Sequence, residues 1–454
     1  MKFKKILLYA IPFLMVIIVL VYTPKSKDDE SSAYNIKKDK YDMNNYLEKN
    51  HSEIDTKACT NFNLLDEDIN KNNVIIAGEY KGVSKNYQIK LSLLKYLNEK
   101  HGVRYLLENI GYSEAYFLNQ YLKSGDESIL KALYFSTGKI EYAFGDNDFQ
   151  FKESYDFWKE LRKYNLSIPD DKRIIVIGIG TESKEYTTLR FINLLMPVSE
   201  PPAEIKPCIK AYKDKCRKKI ELENKFEKIV TSPDEIDKTN EILHQLQDNN
   251  EEIYKSIEKL KKNMEINPEI YEKYLGSRYF DFEFVFNNTV NSYYDGIGIN
   301  TFDSDMYGNF KKIYSNLPPG KYFGQFNKDQ VYRNIPINMD NHTRFAEFLN
   351  GSDSPVKGRV LSIAYGYENS KAILYMGENA ETAEPFDVDI LKDISKSDTT
   401  LFKLNGDNSP FSKKTYFITA NNDMNTTDYF KYIILIKKSE AVSSSWIIMN
   451  NEED

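Results

Sequence analysis

The stretch from Val74 to Leu122 constrains the fold most, because its pattern is that of a strand, a turn, a helix and a second strand. Val74 to Ala77 is a short continuous apolar run, which is typical of a strand buried on both faces. A helical stripe of apolar residues starts at Tyr87 and stops at Gly102, a residue suited to ending a helix. A second apolar strand follows from Val103 to Leu107. This order predicts an α/β fold whose mostly parallel sheet is flanked by helices.

An acidic side chain follows each of these two strands. Glu79 comes after the first strand and Glu108 after the second. Two parallel strands joined by a helix place both acids at one edge of the sheet, where open α/β folds bind their ligands. A third apolar strand, from Arg173 to Ile177, leads into Glu182 and Ser183, which we expect at the same edge.

Other segments extend this pattern. Further apolar runs predict strands at Lys321 to Phe326, Gly358 to Tyr365 and Tyr429 to Lys437. The aromatic-rich segment from Arg278 to Tyr294 predicts a core helix, and residues 205–264 shift to Lys, Glu, Asn and Gln with apolar residues at helical spacing. That shift predicts a long helical insertion, broken near residues 232–234, which is either a solvated hairpin without chemistry or a lid.

The N-terminus predicts a membrane anchor. Three lysines precede an apolar run from Ile6 to Tyr22 that contains no charge. At about 1.5 Å per residue, such a helix spans or nearly spans a bilayer. No A-x-A-like cleavage site follows the run, which favours an uncleaved anchor over a removed signal peptide. We expect residues 1–26 to be a single-pass anchor in the cell membrane, residues 27–40 a polar tether, and residues 41–454 an extracytoplasmic domain, because the lysines stay inside.

The sequence predicts no metal, no cofactor and no nucleic-acid partner. The net charge of -7 is mildly acidic, and no P-loop or GxGxxG pattern is present. Cys208 and Cys216 would lie about 12 Å apart on one helix, which is too far for a disulfide. No histidine stands at ligand spacing from another histidine or a cysteine. The four histidines are His51, His101, His244 and His342.

The order of several motifs resembles the erythromycin esterase family. GEYKG follows the first strand, KHGVRYLLE leads into and includes the second, and GIGTE follows the third. DMYGNF and PPGKYFGQF come later in the chain, and the resemblance covers roughly Tyr41 to Leu435. It implies an α/β domain that hydrolyses an ester or lactone in a small molecule, with histidines and glutamates activating a water. Glu79, Glu108 and Glu182 match the acids of the family. The resemblance implies that these three residues are catalytic.

Other positions depart from the family's motifs. Lys81 stands where the first motif, G-E-x-H-G, has its histidine. In the third motif, G-I-D-x-E-H, Gly180 replaces the aspartate and Ser183 the histidine. Phe302 stands where the family has an arginine, and Gln330 where it has a histidine before valine. The resemblance therefore leaves Lys81, Ser183 and Gln330 as candidates for substrate binding rather than for catalysis.

These departures bear on mechanism. A general base that works on water near neutral pH needs a pKa close to that pH, which histidine supplies without tuning. Nearby carboxylates would raise the pKa of Lys81, and Gln330 cannot take a proton. The structural alternatives are an ion pair between Glu79 and Lys81 that closes the former site, and a helix-capping role for Glu182.

Two hypotheses about function follow from different classes of protein. The first is a membrane-anchored, extracytoplasmic hydrolase of the erythromycin esterase type with an altered, impaired site. The second is a catalytically inactive binding or interaction module that keeps the fold and the cleft. A hydrolase must keep at least one group with a pKa near neutrality, whereas a binding module need not.

Overall fold

The computed structural model describes residues 41–135, 151–182, 184–230, 236–294, 302–336, 342–373, 379–418 and 424–443. The predicted anchor, the predicted tether, the predicted helix break at 232–234 and Ser183 lie outside these residues. Within them, none of the helices combines the length and the apolar character that crossing a membrane requires.

The described strands, in chain order, are β1 (His51–Glu53), β2 (Val74–Glu79), β3 (Val103–Glu108), β4 (Ile175–Gly178), β5 (Lys321–Asn327), β6 (Val360–Glu368), β7 (Lys371–Ala372), β8 (Glu381–Thr382), β9 (Thr399–Lys403) and β10 (Tyr432–Lys437). Eight of them form one sheet in the order β1-β9-β10-β6-β2-β5-β3-β4, and β7 pairs with β8.

The described helices are α1 (residues 41–49), α2 (Asp66–Lys71), α3 (Lys85–His101), α4 (Tyr112–Ser124), α5 (Glu127–Phe135), α6 (Lys152–Ser167), α7 (Glu185–Leu195), α8 (Lys206–Val230), α9 (Ile236–Ile266), α10 (Pro268–Leu275), α11 (Tyr279–Tyr294), α12 (Phe302–Asn316), α13 (Phe345–Asn350), α14 (Asp389–Lys392) and α15 (Thr426–Tyr429). Helices therefore flank the sheet, and the predicted α/β class is confirmed.

The sheet is mixed. Among the described strands of the main sheet, five of the seven pairings are parallel, and the two that involve β9 are antiparallel. No strand was predicted before β2, so β1, which has three residues and pairs with β9, was missed. Such a short edge strand carries too few residues for an alternating pattern to be visible.

The predicted strand, helix and strand at the centre of the fold are present. All six residues of β2 are buried, as expected of a central parallel strand. Helix α3 ends at Gly102, whose φ of 67° lies in the left-handed region that favours glycine. The N–H of Gly102 donates to the carbonyl oxygens of Leu97 and Asn98, so this residue closes the helix before β3 begins.

Two connections leave the sheet in opposite directions at β2 and β5. Helix α3 connects β2 to β3 and crosses the sheet past β5, whereas the segment after β5 connects to β6 and crosses past β2. The two connections lie on opposite faces: Asn86 of α3 contacts Tyr367 on one face, and Val331 packs against Gly78 on the other. The sheet therefore has a topological switch point between the carboxyl ends of β2 and β5, the usual position of a ligand crevice.

The predicted helical insertion is a hairpin of two long helices. α8 and α9 run antiparallel, because Lys215 pairs with Glu252 while Lys219 bonds Asn250 at a distance of 3.0 Å. Its inner half joins the main core through residues such as Ile253. A separate small cluster of Leu222, Ile242, Leu246 and Leu243 lies further along the hairpin.

Candidate functional site

Glu79 lies at the switch point, at the carboxyl end of β2. Its Oε2 accepts a hydrogen bond of 2.7 Å from Nε2 of Gln325 on the neighbouring strand β5. Oε1 of Gln325 in turn accepts a bond of 3.0 Å from the hydroxyl of Tyr365 on β6. The three side chains lie on the face of the sheet that α3 covers, because Ala77 is paired with both Gln325 and Ile363. Glu79 is thus held by a chain of buried side chains across three strands.

The hydroxyls of two buried tyrosines lie close to this carboxylate. Tyr365 and Tyr367 are almost completely buried, and burial together with the nearby charge of Glu79 raises the pKa of each phenol well above its ordinary value. Both phenols therefore stay protonated and act as hydrogen-bond donors over the whole physiological pH range.

Glu108, at the carboxyl end of β3, forms a buried ion pair. Nζ of Lys90 lies 2.7 Å from Oε1 and 2.9 Å from Oε2 of Glu108. The same ammonium lies 4.9 Å from the ring centroid of Phe157. Both charged side chains are more than nine-tenths buried, so each is the main compensation for the other's loss of water. Lys90 belongs to α3, which brings it over this end of the sheet.

Glu182, after β4, is held by the beginning of α4. Its carboxylate accepts hydrogen bonds from the backbone N–H of Ser113 (3.3 Å), the hydroxyl of Ser113 (2.5 Å) and the hydroxyl of Thr188 (3.0 Å). A Cβ atom at Gly111 would lie 2.6 Å from Oε2 of Glu182, so only a glycine admits the carboxylate here. Burial, with a further contribution from the nearby Glu114, raises the pKa of Glu182 to about 7. Glu182 thus accepts a backbone N–H at the start of α4 and a side-chain hydroxyl of α7, the helix that follows it in sequence.

A second buried carboxylate adjoins this cluster. Oε2 of Glu114 lies 3.3 Å from Nζ of Lys184, and that ammonium also donates a bond of 2.8 Å to the carbonyl oxygen of Leu133. The ammonium of Lys184 therefore pairs with Glu114, whose charge acts in turn on Glu182. Ser113 and Thr188, which donate hydrogen bonds to Glu182, lie on α4 and α7.

Gln330 lies at the same edge of the sheet as Glu79. It follows β5 by three residues, and Glu79 is paired with Asn327, the last residue of that strand. Nε2 of Gln330 donates to Oδ1 of Asp303 at 2.9 Å, while its Oε1 accepts from the N–H of Asn327 at 3.2 Å. Asp303 also lies 3.8 Å from a guanidinium nitrogen of Arg344, and burial raises the pKa of this aspartate. Gln330 thus connects the end of β5 to α12.

The remaining predicted site residues are Lys81 and Ser183. Lys81 is half-buried and lies two residues beyond Glu79, in the loop that joins β2 to α3. The structure does not describe Ser183. Glu79, Glu108, Glu182 and Gln330 all follow parallel strands at one edge of the sheet, but Glu79 and Glu108 are separated by β5, which corresponds to roughly 10 Å between their strands.

Gly180 leaves no space for a larger side chain. A Cβ atom at this position would lie 2.7 Å from Oδ1 of Asn109 and 2.9 Å from the backbone nitrogen of Ile110. The carbonyl oxygen of Gly180 accepts hydrogen bonds of 3.1 Å from the amides of Asn288 and Asn309. The aspartate that the family pattern has here therefore does not fit this backbone.

Sequence reasoning missed several residues of the site. Gln325 was included in a strand, and Lys90 in a helix, without a role for either. Lys90 could have been noticed, because it shares the apolar stripe of α3 with Leu94 and Leu97, where a charge needs a buried partner. Tyr365 and Tyr367 carry no such signal, since tyrosines are common in buried strands.

No protein-family model and no curated protein matches this sequence. Solved structures do share the fold. A protein from Bacillus cereus has a TM-score of 0.59 at 15% identity, over 89% of this chain and 99% of its own. A succinoglycan biosynthesis protein has a TM-score of 0.56 at 16% identity, over 89% and 98%. An erythromycin esterase mutant in its open conformation has a TM-score of 0.52 at 14% identity, over 86% and 97%. The chain therefore has an erythromycin esterase-like α/β fold.

Proposed function

We propose that this protein is a divergent relative of erythromycin esterases that binds a small molecule at the crevice between β2 and β5 without hydrolysing it. The observation that carries this proposal is that partners within the protein hold each strand-end acid. Gln325 and Tyr365 hold Glu79, Lys90 neutralises Glu108, and the start of α4 holds Glu182.

The chemistry of these partners argues against water activation. A general base must reach a proton of the bound water, and a second group must orient that water. The segments at the ends of β2, β3, β4 and β5 contain no histidine: they read EYKG, ENIG, GIGTE and NKDQV. Nζ of Lys90 donates to Oε2 of Glu108 and lies 2.7 Å from Oε1, and this ion pair leaves the acid poorly placed to receive a proton from water.

The crevice offers hydrogen-bonding groups rather than a reactive pair. Asn109 and Asn327 are exposed at the carboxyl edge, next to Glu108 and opposite Glu79 respectively. Amide side chains both donate and accept, so they suit a neutral ligand with carbonyl, hydroxyl or ester oxygens. Erythromycin is a suitable first probe, because one structure with this fold is an erythromycin esterase.

One observation favours a second candidate function, a hydrolase that uses Glu182. A carboxyl group with a pKa of about 7 suits a general base near neutral pH. In that case Ser113 and Thr188 would orient the carboxylate. We favour the binding protein over this hydrolase, because Glu182 is buried and already accepts hydrogen bonds from Ser113 on α4 and Thr188 on α7.

We also propose that residues 1–26 anchor the chain and that the domain lies outside the cell membrane. The uncharged apolar run after three lysines supports this placement. Protease added to intact cells should remove residues 41–454, and a cytoplasmic control protein should survive. Protection of the whole chain until the cells are lysed would overturn the orientation.

Isothermal titration calorimetry of the full-length protein in detergent tests the binding proposal. Erythromycin should bind, and Glu79→Gln should weaken its affinity at least tenfold. Glu204→Gln, which removes the same charge from an exposed position, is the matched control and should bind as the wild type does. Absence of binding, or equal affinity in all three proteins, would overturn the proposal.

A further inference from the structure

The peptide of Tyr80, which joins Glu79 to Lys81, is held by two buried side chains. The N–H of Tyr80 donates to the hydroxyl oxygen of Tyr367 at 2.9 Å, and that hydroxyl donates to Oδ1 of Asn86 at 2.9 Å. Nδ2 of Asn86 donates back to the carbonyl oxygen of Tyr80 at 2.8 Å. These three hydrogen bonds close a ring around one backbone residue.

The two side chains of the ring are buried. Tyr367 and Asn86 are each 1% exposed, so water has little access to their hydroxyl and amide groups. A buried donor or acceptor without a partner is costly, and a fully satisfied buried network fixes one geometry. The ring thus sets the direction in which the chain leaves β2.

The loop is also fixed one residue beyond Lys81. The carbonyl oxygen of Gly82 accepts hydrogen bonds from the N–H of Ile373 at 3.2 Å and from the N–H of Val442 at 2.9 Å. Gly82 has a φ of +80°, and a Cβ atom there would lie 2.0 Å from the carbonyl oxygen of Ile373. Backbone from two distant parts of the chain therefore encloses the loop that carries Lys81.

We propose that Tyr367 and Asn86 are positioning residues, which hold the segment from Glu79 to Lys81 in its binding geometry before a ligand arrives. This inference rests on the proposed binding function of the crevice. A site held in this way loses little conformational entropy on binding, which strengthens affinity without any added contact.

The alternative is that the ring only satisfies buried polar groups. Tyr365 provides a matched comparison, because it lies two residues before Tyr367 on β6, is equally buried, and also donates one hydrogen bond to an amide oxygen. Tyr365→Phe and Tyr367→Phe each remove one buried hydroxyl. They differ in that the Tyr367 hydroxyl alone bonds the backbone of Tyr80.

Hydrogen exchange of the full-length protein, followed by mass spectrometry, decides between the two. In Tyr367→Phe the backbone amides of residues 80–82 should exchange at least tenfold faster than in the wild type. In Tyr365→Phe they should exchange within twofold of the wild-type rate. Equal acceleration in both variants, or no acceleration in Tyr367→Phe, would overturn the proposal. If Tyr367→Phe does not fold, Asn86→Ser takes its place, because it removes the bond to the carbonyl oxygen of Tyr80. In that variant too, the amides of residues 80–82 should exchange at least tenfold faster than in the wild type.

Ligand affinity provides the functional measurement. Tyr367→Phe should weaken erythromycin binding at least tenfold. Tyr96→Phe should leave it unchanged, because the hydroxyl of Tyr96 donates to Asp66, the first residue of α2, which precedes the amino end of β2. Unchanged affinity in Tyr367→Phe would contradict a positioning role. If the wild-type protein does not bind erythromycin, the proposed function fails, and the exchange comparison still decides the role of the ring.

Discussion

The ammonium of Lys90 lies within 3 Å of both carboxylate oxygens of Glu108, in a pair that is almost fully buried. Glu108, at the end of β3, is therefore paired with a side chain of the protein itself. The resemblance to esterases implies instead that this acid contacts a substrate or a water molecule.

Lys90→Met should destabilise the protein, because it removes the ammonium that neutralises the buried charge of Glu108. The expected loss in free energy of unfolding is about 3 to 5 kcal/mol. Urea unfolding of the full-length protein in detergent gives this value. The double variant Lys90→Met, Glu108→Leu should recover most of the loss, since it removes both charges.

The control for this prediction is an exposed pair. Lys71 and Glu67 lie 2.7 Å apart on the surface of α2. Lys71→Met should change the unfolding free energy by less than about 1 kcal/mol, as expected for a solvated ion pair. A similar effect of both lysine substitutions would show that burial does not set the strength of the Lys90 pair.

Glu182 should make stability depend on pH. Burial raises its pKa from the ordinary 4.5 to about 7, so the folded state holds a proton that the unfolded state releases. The stability from this group is complete below pH 4.5 and is lost as pH rises through 7. The unfolding free energy of the wild type, relative to Glu182→Gln, should therefore fall with rising pH, by at most roughly 3 kcal/mol between pH 4.5 and 8. Exposed Glu204→Gln should show no such difference, and a relative stability that rises with pH would contradict the assignment.

Gly180→Asp should not rebuild the family motif. The new side chain would meet Asn109 and the backbone of Ile110, and overpacking of this kind costs about 1 to 3 kcal/mol. Gly308→Asp is the matched control, because no atom lies within 4 Å of a Cβ atom at that position. Thermal unfolding should show a lower midpoint for Gly180→Asp than for Gly308→Asp, and the reverse order would show that the loop after β4 can move aside.

Lys81→His should not restore hydrolysis of erythromycin or of simple esters. Residues that act as a catalytic unit lose activity in a strongly non-additive way, so one restored histidine gains little. Gly180 and Gln330 would still lack the acid and the second base that the resemblance implies. Initial rates of ester and lactone hydrolysis test this, and an increase above background in Lys81→His would contradict it.

The central fold could be predicted because its signals are local and strong. The continuous apolar runs of β2 and β3, and the glycine that ends α3, each have one simple physical interpretation. The antiparallel side of the sheet was not predicted, because β1 is very short. The five-residue β9, which joins it to the rest of the sheet, was also missed.

The candidate site could be predicted only in part. The positions of Glu79, Glu108 and Gln330 follow from strand order, since parallel strands end at one edge. The hydrogen-bond partners of these residues cannot be predicted from strand order alone. Gln325 and Tyr365 are far from Glu79 in sequence and lie near it only because their strands are paired with β2. The ion pair between Glu79 and Lys81 stays a prediction, and the sequence did not predict the buried pair of Glu108 with Lys90.

Steady-state turnover of erythromycin and a panel of lactones and simple esters tests the central claim most directly. We predict that the full-length wild-type protein binds erythromycin without turnover above the uncatalysed background, and that Glu79→Gln and Glu182→Gln leave this background unchanged. Hydrolysis by the wild type that is lost on Glu79→Gln or Glu182→Gln would contradict a binding protein, because it would identify a working active site at the carboxyl edge of the sheet.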